Sequence, residues 1–154
     1  MTRQNEAPAL QAVCEIEVLL GEPRDLGVTR DGHRRITPIL GGTLRGLAGT
    51  ELAGVLGEVL AGGADRQLWR EEVGTTSVDI DARYDVQLAS GAIVSLHATG
   101  LRRASEVGIY FMVQLRFETS APEAVELQQA LFVADGTREA DRVRHTVYRV
   151  GLPI

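Results

Sequence analysis

The chain contains no lysine, and all 16 of its basic residues are arginine. Schiff-base chemistry and lysine nucleophiles are therefore excluded, because both require a lysine amine. Arginine can still bind carboxylate, phosphate or enolate oxygen through its planar guanidinium group. The composition thus excludes one class of carbonyl chemistry and leaves recognition of anionic oxygen open.

Cysteine is almost absent, since Cys14 is the only one in the sequence. An internal disulfide and a cysteine-based metal cluster are excluded. Cys14 lies on the apolar side of an alternating segment, so we expect it to be buried as a small hydrophobic residue.

Long apolar runs are also missing, and none approaches the length that spans a bilayer. Residues 1–8 are polar and lack the apolar core of a signal peptide, so we expect a cytoplasmic protein with no membrane partner. The formal net charge of −5 argues against nucleic acid as a partner. With 154 residues, 44% of them hydrophobic, we expect a flexible N-terminus over 1–10 and one domain over 11–154.

Alternation of apolar and polar residues is the dominant pattern that is present. It is clearest over 78–88, and it recurs over 12–20, 33–40, 92–99, 109–117 and 143–150. Such alternation indicates half-buried strands. Pro122 predicts a helix start, and 50–60 is read as a helical turn running into a strand. About eight or nine short strands with one or two short helices predict a mainly β protein, an antiparallel barrel or a tightly curled sheet.

Established catalytic motifs are absent: there is no P-loop, no GxSxG and no HExxH. His33, His97 and His145 are far apart without paired ligand spacing, so we expect surface or rim histidines. The sequence therefore predicts no metal site and no cofactor.

Polar residues on apolar strand faces are the remaining candidates for a site. Tyr84 lies on the apolar face of the strand at 78–88, and its hydroxyl needs a partner there. Arg34 shares parity with apolar neighbours, and a buried guanidinium needs a carboxylate or a bound anion. Asp65 is the predicted carboxylate, with Gln67 and Trp69 on the same side of its strand. A purely structural Arg34–Asp65 salt bridge is the alternative.

Other polar residues lie opposite the apolar faces. His97 and Tyr110 do so, and Glu118 follows Phe117 at a strand end. Surface positions are the simpler interpretation, unless the polar side of the sheet lines the interior. The sequence leaves open which face is inside.

A family resemblance rests on four segments in order. The run Gly32–Gly42, GHRRITPILGG, resembles the G-x-R-x-x-x-P-I-x-G-G signature of a bacterial family catalogued as a domain of unknown function. The segments GGAD at 62–65, ARY at 82–84, and YF at 110–111 with FET at 117–119 are similar to later motifs of that family. The resemblance covers most of the chain from about residue 12.

The resemblance implies a small β-barrel of the calycin or allene-oxide-cyclase type, with an apolar small molecule as ligand. The sequence departs from the family pattern at Arg66 in place of Trp, Met112 in place of Arg and Leu115 in place of Pro, and it is longer between Gly46 and Gly57. These departures predict a changed ligand or a pocket that has been repurposed.

The first functional hypothesis is a cofactor-independent cyclase or isomerase that acts by acid–base chemistry on a hydrophobic carbonyl or polyketide-like substrate. Asp65 would be the general base or acid, Arg34 and Tyr84 would polarise the substrate oxygen, and His97 would be a second proton-transfer group. The predicted substrate-binding residues are Gln67, Trp69, Arg83, Tyr110, Phe111 and Glu118.

The alternative hypotheses involve no chemistry. One is a protein that carries an apolar small ligand, and another is a scaffold whose apolar faces serve association. A homodimer or higher homo-oligomer is expected in any of these cases, because small barrels often bury a strand edge or face against a copy of themselves.

Overall fold

A computed structural model describes residues 6–152 of the chain. Its sheet has ten strands, all paired in antiparallel fashion. They are β1 (Leu10–Leu20), β2 (Arg24–Thr29), β3 (Gly32–Gly46), β4 (Leu56–Val59), β5 (Ala64–Glu72), β6 (Thr75–Leu88), β7 (Ile93–Ser105), β8 (Gly108–Thr119), β9 (Leu131–Arg138) and β10 (Arg142–Val150). A 3₁₀ helix spans Pro122–Gln128.

The sheet closes on itself. Strand β1 pairs with β10, and pairing continues through β9, β8, β7 and β6. Strand β6 then pairs with β4 and with β5, both of which pair with β3, and β3 pairs back with β1. Strand β2 pairs with the first part of β3. The predicted mainly β fold is therefore confirmed as a closed antiparallel barrel.

The apolar side chains of the alternating strands fill the barrel interior, as the sequence predicts. The inward residues of β6 are all buried: Val78, Ile80, Ala82, Tyr84, Val86 and Leu88. Phe117 and Phe132 meet edge to face with ring centroids 5.4 Å apart. Cys14 is fully buried, and burial raises the pKa of its thiol to about 12, which suits the predicted role as a small hydrophobic residue.

The two ends of the barrel differ. At one end, which we call the closed end, the 3₁₀ helix buries Ala124 and Leu127, and the turns at 48–54 bury Leu52. At the other end, the mouth, lie the connections β5–β6, β7–β8 and β9–β10. Residues 48–54 form turns rather than the predicted helical turn, and the predicted strand that follows them is β4.

The predicted parity of β3 is wrong. Leu40, one of the apolar neighbours that share parity with Arg34, is 56% exposed, whereas Thr37 and Ile39 are buried. The pairing of Arg35 with Gln67 and of Thr37 with Asp65 puts the odd-numbered residues of the first part of β3 on the inward face and Arg34 on the outer face. A bulge follows at Leu40, because Leu19 pairs with Gly41 and the next residue of β1 pairs with Ile39. One residue of β3 is left unpaired, and inward parity changes across it.

The predicted flexible N-terminus over 1–10 lies partly outside the described residues. Residues 1–5 lie outside the described residues, and β1 begins at Leu10. Within the described range, no helix is long and apolar enough to cross a membrane.

Candidate functional site

A small chamber lies inside the barrel towards the mouth. Its volume is about 40 Å³, and its walls come from strands β1, β3 and β5 to β10. Most of the wall is apolar, and its polar side chains are Asp65, Gln67, Tyr84, Arg102, Arg138 and His145. A volume of this size holds about three water-sized groups.

Asp65 is held in the chamber wall by a chain of hydrogen bonds. Trp69 Nε1 donates to Gln67 Oε1 at 3.0 Å, and Gln67 Nε2 donates to Asp65 Oδ2 at 2.9 Å. The backbone N–H of Asp81 donates to Asp65 Oδ1 at 3.0 Å. Burial nevertheless raises the pKa of this carboxyl above its ordinary value, and the hydrogen bonds oppose the rise only in part. Asp65 is thus a fixed carboxyl group whose pKa is shifted towards neutrality, as a general base requires.

Arg102 and Arg138 separate the chamber from the space outside it. Arg102 packs against Trp69 and Phe111, with its guanidinium carbon 5.6 Å and 5.9 Å from the two ring centroids. Arg138 Nη1 donates to the backbone oxygen of the next residue, Glu139, at 2.9 Å. Within residues 6–152, no carboxylate oxygen lies within 4 Å of either guanidinium. Burial lowers the pKa of Arg102, and the charge of Arg138 lowers it further.

The Tyr84 hydroxyl is a buried polar group without a partner. Its oxygen makes no hydrogen bond to any described residue, and the side chain lines the chamber. Burial raises the pKa of the phenol, so it stays protonated and can donate a hydrogen bond. An unpaired buried hydroxyl is costly, so this group is available to donate to a water or a ligand that reaches it.

His145 is buried in the chamber wall, contrary to its predicted surface position. Its Nδ1 donates to the backbone oxygen of Asp135 at 2.9 Å, so Nδ1 carries the hydrogen and Nε2 keeps its lone pair. Burial lowers the pKa of the ring, which keeps it neutral. The ring of Phe111 meets it edge to face at 5.6 Å. A neutral histidine with a fixed tautomer is a second group suited to proton transfer.

A larger space, which we call the vestibule, lies directly outside the two arginines. It measures about 580 Å³, which falls in the range typical of ligand pockets. Both arginines line it as well as the chamber. Its other lining residues are Trp69, Thr76, Val78, Ala104, Ile109, Glu139 and Ala140.

A seam in the barrel wall opens beside the vestibule. Strands β8 and β9 pair only from Met112 with Asp135 to Leu115 with Phe132, although both continue towards the mouth. The next residue of β8 towards the mouth is Phe111, whose ring lies against Gly136 of β9. A Cβ at Gly136 would be 2.8 Å from three ring carbons, so only glycine permits this contact. Phe111 therefore closes the inner part of the seam.

A second concavity, of about 660 Å³, lies on the outer wall and does not resemble a site. Four of its charged groups are paired, since Arg45 lies 2.7 Å from Glu15 and Arg144 lies 3.3 Å from Glu17, and Asp135 accepts from the backbone N–H of Thr146. The described residues contain no group of three or more His, Cys, Asp or Glu side chains that could hold a metal ion.

The structure brings about half of the predicted site residues together. Asp65, Gln67, Tyr84 and Phe111 line the chamber, and Trp69 lines the vestibule. The polar face of the sheet is therefore outside and its apolar face inside, which resolves the alternative that the sequence left open.

The other predicted residues lie elsewhere. Arg34 does not pair with Asp65, because it lies on the outer face of β3, opposite Leu68, where it donates to the Arg66 carbonyl at 3.1 Å. His97 lies on the outer face, with Nε2 2.7 Å from Asp81 Oδ1. The remaining three, Arg83, Tyr110 and Glu118, are exposed outer-face residues.

Arg102, Arg138 and His145 are site residues that the sequence did not predict. A signal was present, because each has the inward parity of its strand, as in the series Val94, Leu96, Ala98, Gly100 and Arg102 of β7. The predicted strand ended at residue 99, so this arginine was not assigned to any face.

The family of the chain follows from comparison with known proteins. Residues 8–150 match the family described as "Protein of unknown function (DUF3237)". The chain belongs to this family. A UPF0311 protein of Rhodopseudomonas palustris is 34% identical over 152 residues, covering 90% of this chain and 94% of the relative. One from Bradyrhizobium diazoefficiens is 35% identical over 152 residues, covering 90% and 93%.

Solved structures of other proteins share the barrel fold of this chain. The crystal structure of the R. palustris family protein matches with a TM-score of 0.82 at 32% identity, covering 95% of this chain and 99% of that one. A β-barrel-like protein from Acinetobacter baumannii matches at 0.80 and 30% identity, covering 96% and 99%. A Penicillium herquei enzyme matches at 0.67 and 16% identity over 97% and 99%, which shows a shared fold and no more. The predicted bacterial family of unknown function and its barrel fold are confirmed.

Proposed function

We infer that the protein is a small-molecule-binding barrel that catalyses cyclisation or isomerisation of a hydrophobic carbonyl or polyketide-like compound by acid–base chemistry. The observation that carries this inference is one chamber whose wall includes both the buried Asp65 carboxyl and Tyr84, a residue whose hydroxyl has no described partner. Enolisation of a carbonyl needs a base and a hydrogen-bond donor for the carbonyl oxygen.

The proposed chemistry begins with proton abstraction. Asp65 takes a proton from the carbon next to the substrate carbonyl, and the electron pair of the broken C–H bond moves onto oxygen to form an enolate. Tyr84 donates to that oxygen, and the positive charges of Arg102 and Arg138 stabilise it. These arginines replace Arg34 in the role predicted from sequence.

Return of the proton completes an isomerisation. The proton is delivered to a different carbon, by Asp65 itself or through His145, and no net proton is consumed. In a cyclisation the enolate carbon attacks a second carbonyl carbon instead, and the proton neutralises the new alkoxide. His145 replaces His97 as the second proton-transfer group, because its tautomer is fixed and it lines the chamber.

The experiment uses a simple enolisable ketone, since the natural substrate need not be known. We expect the protein to accelerate exchange of the α-protons of 2-tetralone in D₂O above the buffer rate, followed by NMR. Asp65→Asn should slow the catalysed exchange by roughly 100-fold, because general-base catalysis contributes at least that factor. The matched control is Asp85→Asn, because Asp85 is an exposed outward residue of β6, the strand that pairs with the strand of Asp65.

Two outcomes would contradict the proposal. One is exchange in the presence of wild-type protein that is no faster than in buffer. The other is an Asp65→Asn variant that keeps a native near-UV circular dichroism spectrum and exchanges as fast as wild type.

The second candidate function is a carrier of an apolar ligand, and the hydrogen bonds of Asp65 favour it. Both carboxylate oxygens already accept a hydrogen bond, as a purely structural carboxyl would. Native mass spectrometry of freshly purified protein distinguishes the two functions when combined with the exchange assay. A retained ligand together with exchange at the buffer rate would establish the carrier.

A further inference from the structure

The charge of the chamber exceeds what its own residues compensate. Its wall contains one carboxyl group, Asp65, and two guanidinium groups, Arg102 and Arg138, while His145 is neutral. Even with Asp65 ionised, one positive charge remains. Half-buried positive charge without a close carboxylate is unfavourable unless a ligand supplies the counter-charge.

Acidic residues near the mouth do not supply it. Glu139 lines the vestibule, but its carboxylate lies 3.2 Å from Arg144 on the outer wall. Asp141 acts on Arg138 only from beyond 4 Å, and its carboxylate is bound by Arg142 at 3.1 Å. The positive charge of Arg102 and Arg138 therefore stays directed at the boundary between chamber and vestibule.

The two spaces suit different parts of one molecule. The chamber has room for a ligand head group of about three heavy atoms. The vestibule, at about 580 Å³, has room for the rest of the ligand, a bicyclic or larger body. The vestibule presents Trp69, Val78 and Ala104 to such a body, and Ile109 stands 73% exposed at its edge. An exposed aliphatic residue beside a pocket is typical of a ligand contact.

We propose that the ligand is an organic anion with a flat apolar body, whose carboxylate or enolate oxygens bind Arg102 and Arg138 while the body fills the vestibule. The Tyr84 hydroxyl donates to the same anionic head in the chamber. Arginine is suited to this role because its planar group binds two oxygens at once. The inference deepens the proposed function by naming the substrate class, and it rests on the same site.

The test compares an anion with its neutral isostere. Isothermal titration calorimetry with 2-naphthoate and 2-naphthamide should show at least tenfold tighter binding of the anion by wild-type protein. Arg102→Gln and Arg138→Gln should each abolish that preference, and Arg102→Lys should retain part of it. The matched control is Arg103→Gln, because Arg103 is the exposed neighbour of Arg102 on the same strand.

Equal affinity for the two probes, no binding of either up to 1 mM, or a preference that survives both arginine-to-glutamine substitutions would overturn the proposal. Failure here is distinct from failure of the proposed function. Loss of anion preference with Asp65-dependent exchange of 2-tetralone would mean a neutral substrate, and the reverse result would mean an anion-binding protein without this chemistry.

Discussion

Buried charge is handled differently at the two ends of the barrel. At the closed end, the side chain of Arg149 is 6% exposed and pairs with both Glu51 and Gln11. At the mouth, Arg102 and Arg138 have no described carboxylate within 4 Å, and the hydroxyl of Tyr84 has no partner. The closed end therefore satisfies its own polar groups, whereas the mouth leaves groups for a ligand to satisfy. In the proposed function, stability and binding are therefore located at opposite ends.

The largest expected effect is loss of the partner of Arg149. Glu51→Ala leaves a buried guanidinium without its carboxylate, and we expect a loss of about 3 kcal/mol in unfolding free energy. For a domain of this size that lowers the melting temperature by about 6–12 °C. Urea unfolding and thermal melts followed by circular dichroism measure both quantities.

Two comparisons make this result specific. Glu15→Ala removes an exposed partner, since Glu15 and Arg45 are 49% and 57% exposed, and should cost less than about 1 kcal/mol. Arg102→Gln at the mouth should also change stability by less than about 1 kcal/mol, because it removes a charge that lacks a close partner. A loss at Arg102 as large as that at Glu51 would show that the two ends do not differ.

The next effect concerns the seam. In Gly136→Ala, the new methyl group meets the ring of Phe111, which must move, and we expect a loss of about 1–3 kcal/mol. The control is Gly41→Ala, where the nearest atom to a new Cβ is 3.8 Å away. If urea unfolding gives equal losses for both, Phe111 does not depend on Gly136 for its position.

The amount of this fold that sequence reveals depends on how regular each strand is. Strand β6 alternates without interruption, and its inward face is predicted correctly at every apolar position from Val78 to Leu88. In β3 the apolar residues Ile36 and Leu40 lie on the outer face, whereas Thr37 and Ile39 lie on the inner face, so counting apolar residues assigns Arg34 to the wrong face. Regular alternation is readable from sequence, whereas a strand with apolar residues on both faces is oriented by its partner strands.

The site was predictable in chemistry but not in every residue. A carboxyl, a phenol, an arginine and a histidine were expected, and Asp65 and Tyr84 both line the chamber. Arg102 and His145 take the places of Arg34 and His97. Their inward parity is visible in sequence, but the closeness of β7 and β10 to β5 arises only when the barrel closes.

A pH-dependent effect follows from Asp65. Its folded pKa is raised above the ordinary value of 3.8, so the folded state holds this proton more tightly than the unfolded state. The contribution of Asp65 to the free energy of unfolding is therefore fully present below pH 3.8, and it is lost as the pH rises through the folded pKa. The stability of wild type minus that of Asp65→Asn should fall over this interval, by at most about 1.4 kcal/mol per pH unit.

Urea unfolding of both proteins at a series of pH values measures this difference, and other titrating groups cancel in it. A difference that rises with pH would mean that the hydrogen bonds from Gln67 and Asp81 outweigh burial. Asp65 would then be a structural carboxylate, and the mouth would satisfy its own polar groups much as the closed end does.

The smallest change in stability is expected for Tyr84→Phe. Because the hydroxyl has no partner within the described residues, its removal should raise unfolding free energy slightly, by less than about 1 kcal/mol. The same substitution should weaken binding of 2-naphthoate by about tenfold, since it removes a hydrogen bond to a charged acceptor. The control is Tyr110→Phe, on a residue that is 56% exposed outside the barrel.

If Tyr84→Phe makes the protein slightly more stable but weakens its binding of 2-naphthoate, the Tyr84 hydroxyl serves binding and not stability. If Tyr84→Phe instead lowers stability by more than about 1 kcal/mol, the hydroxyl is already satisfied in the free protein, by a water held in the chamber. That result would make the Tyr84 hydroxyl comparable to the paired Arg149, and the case for an occupant would then depend on the two arginines alone.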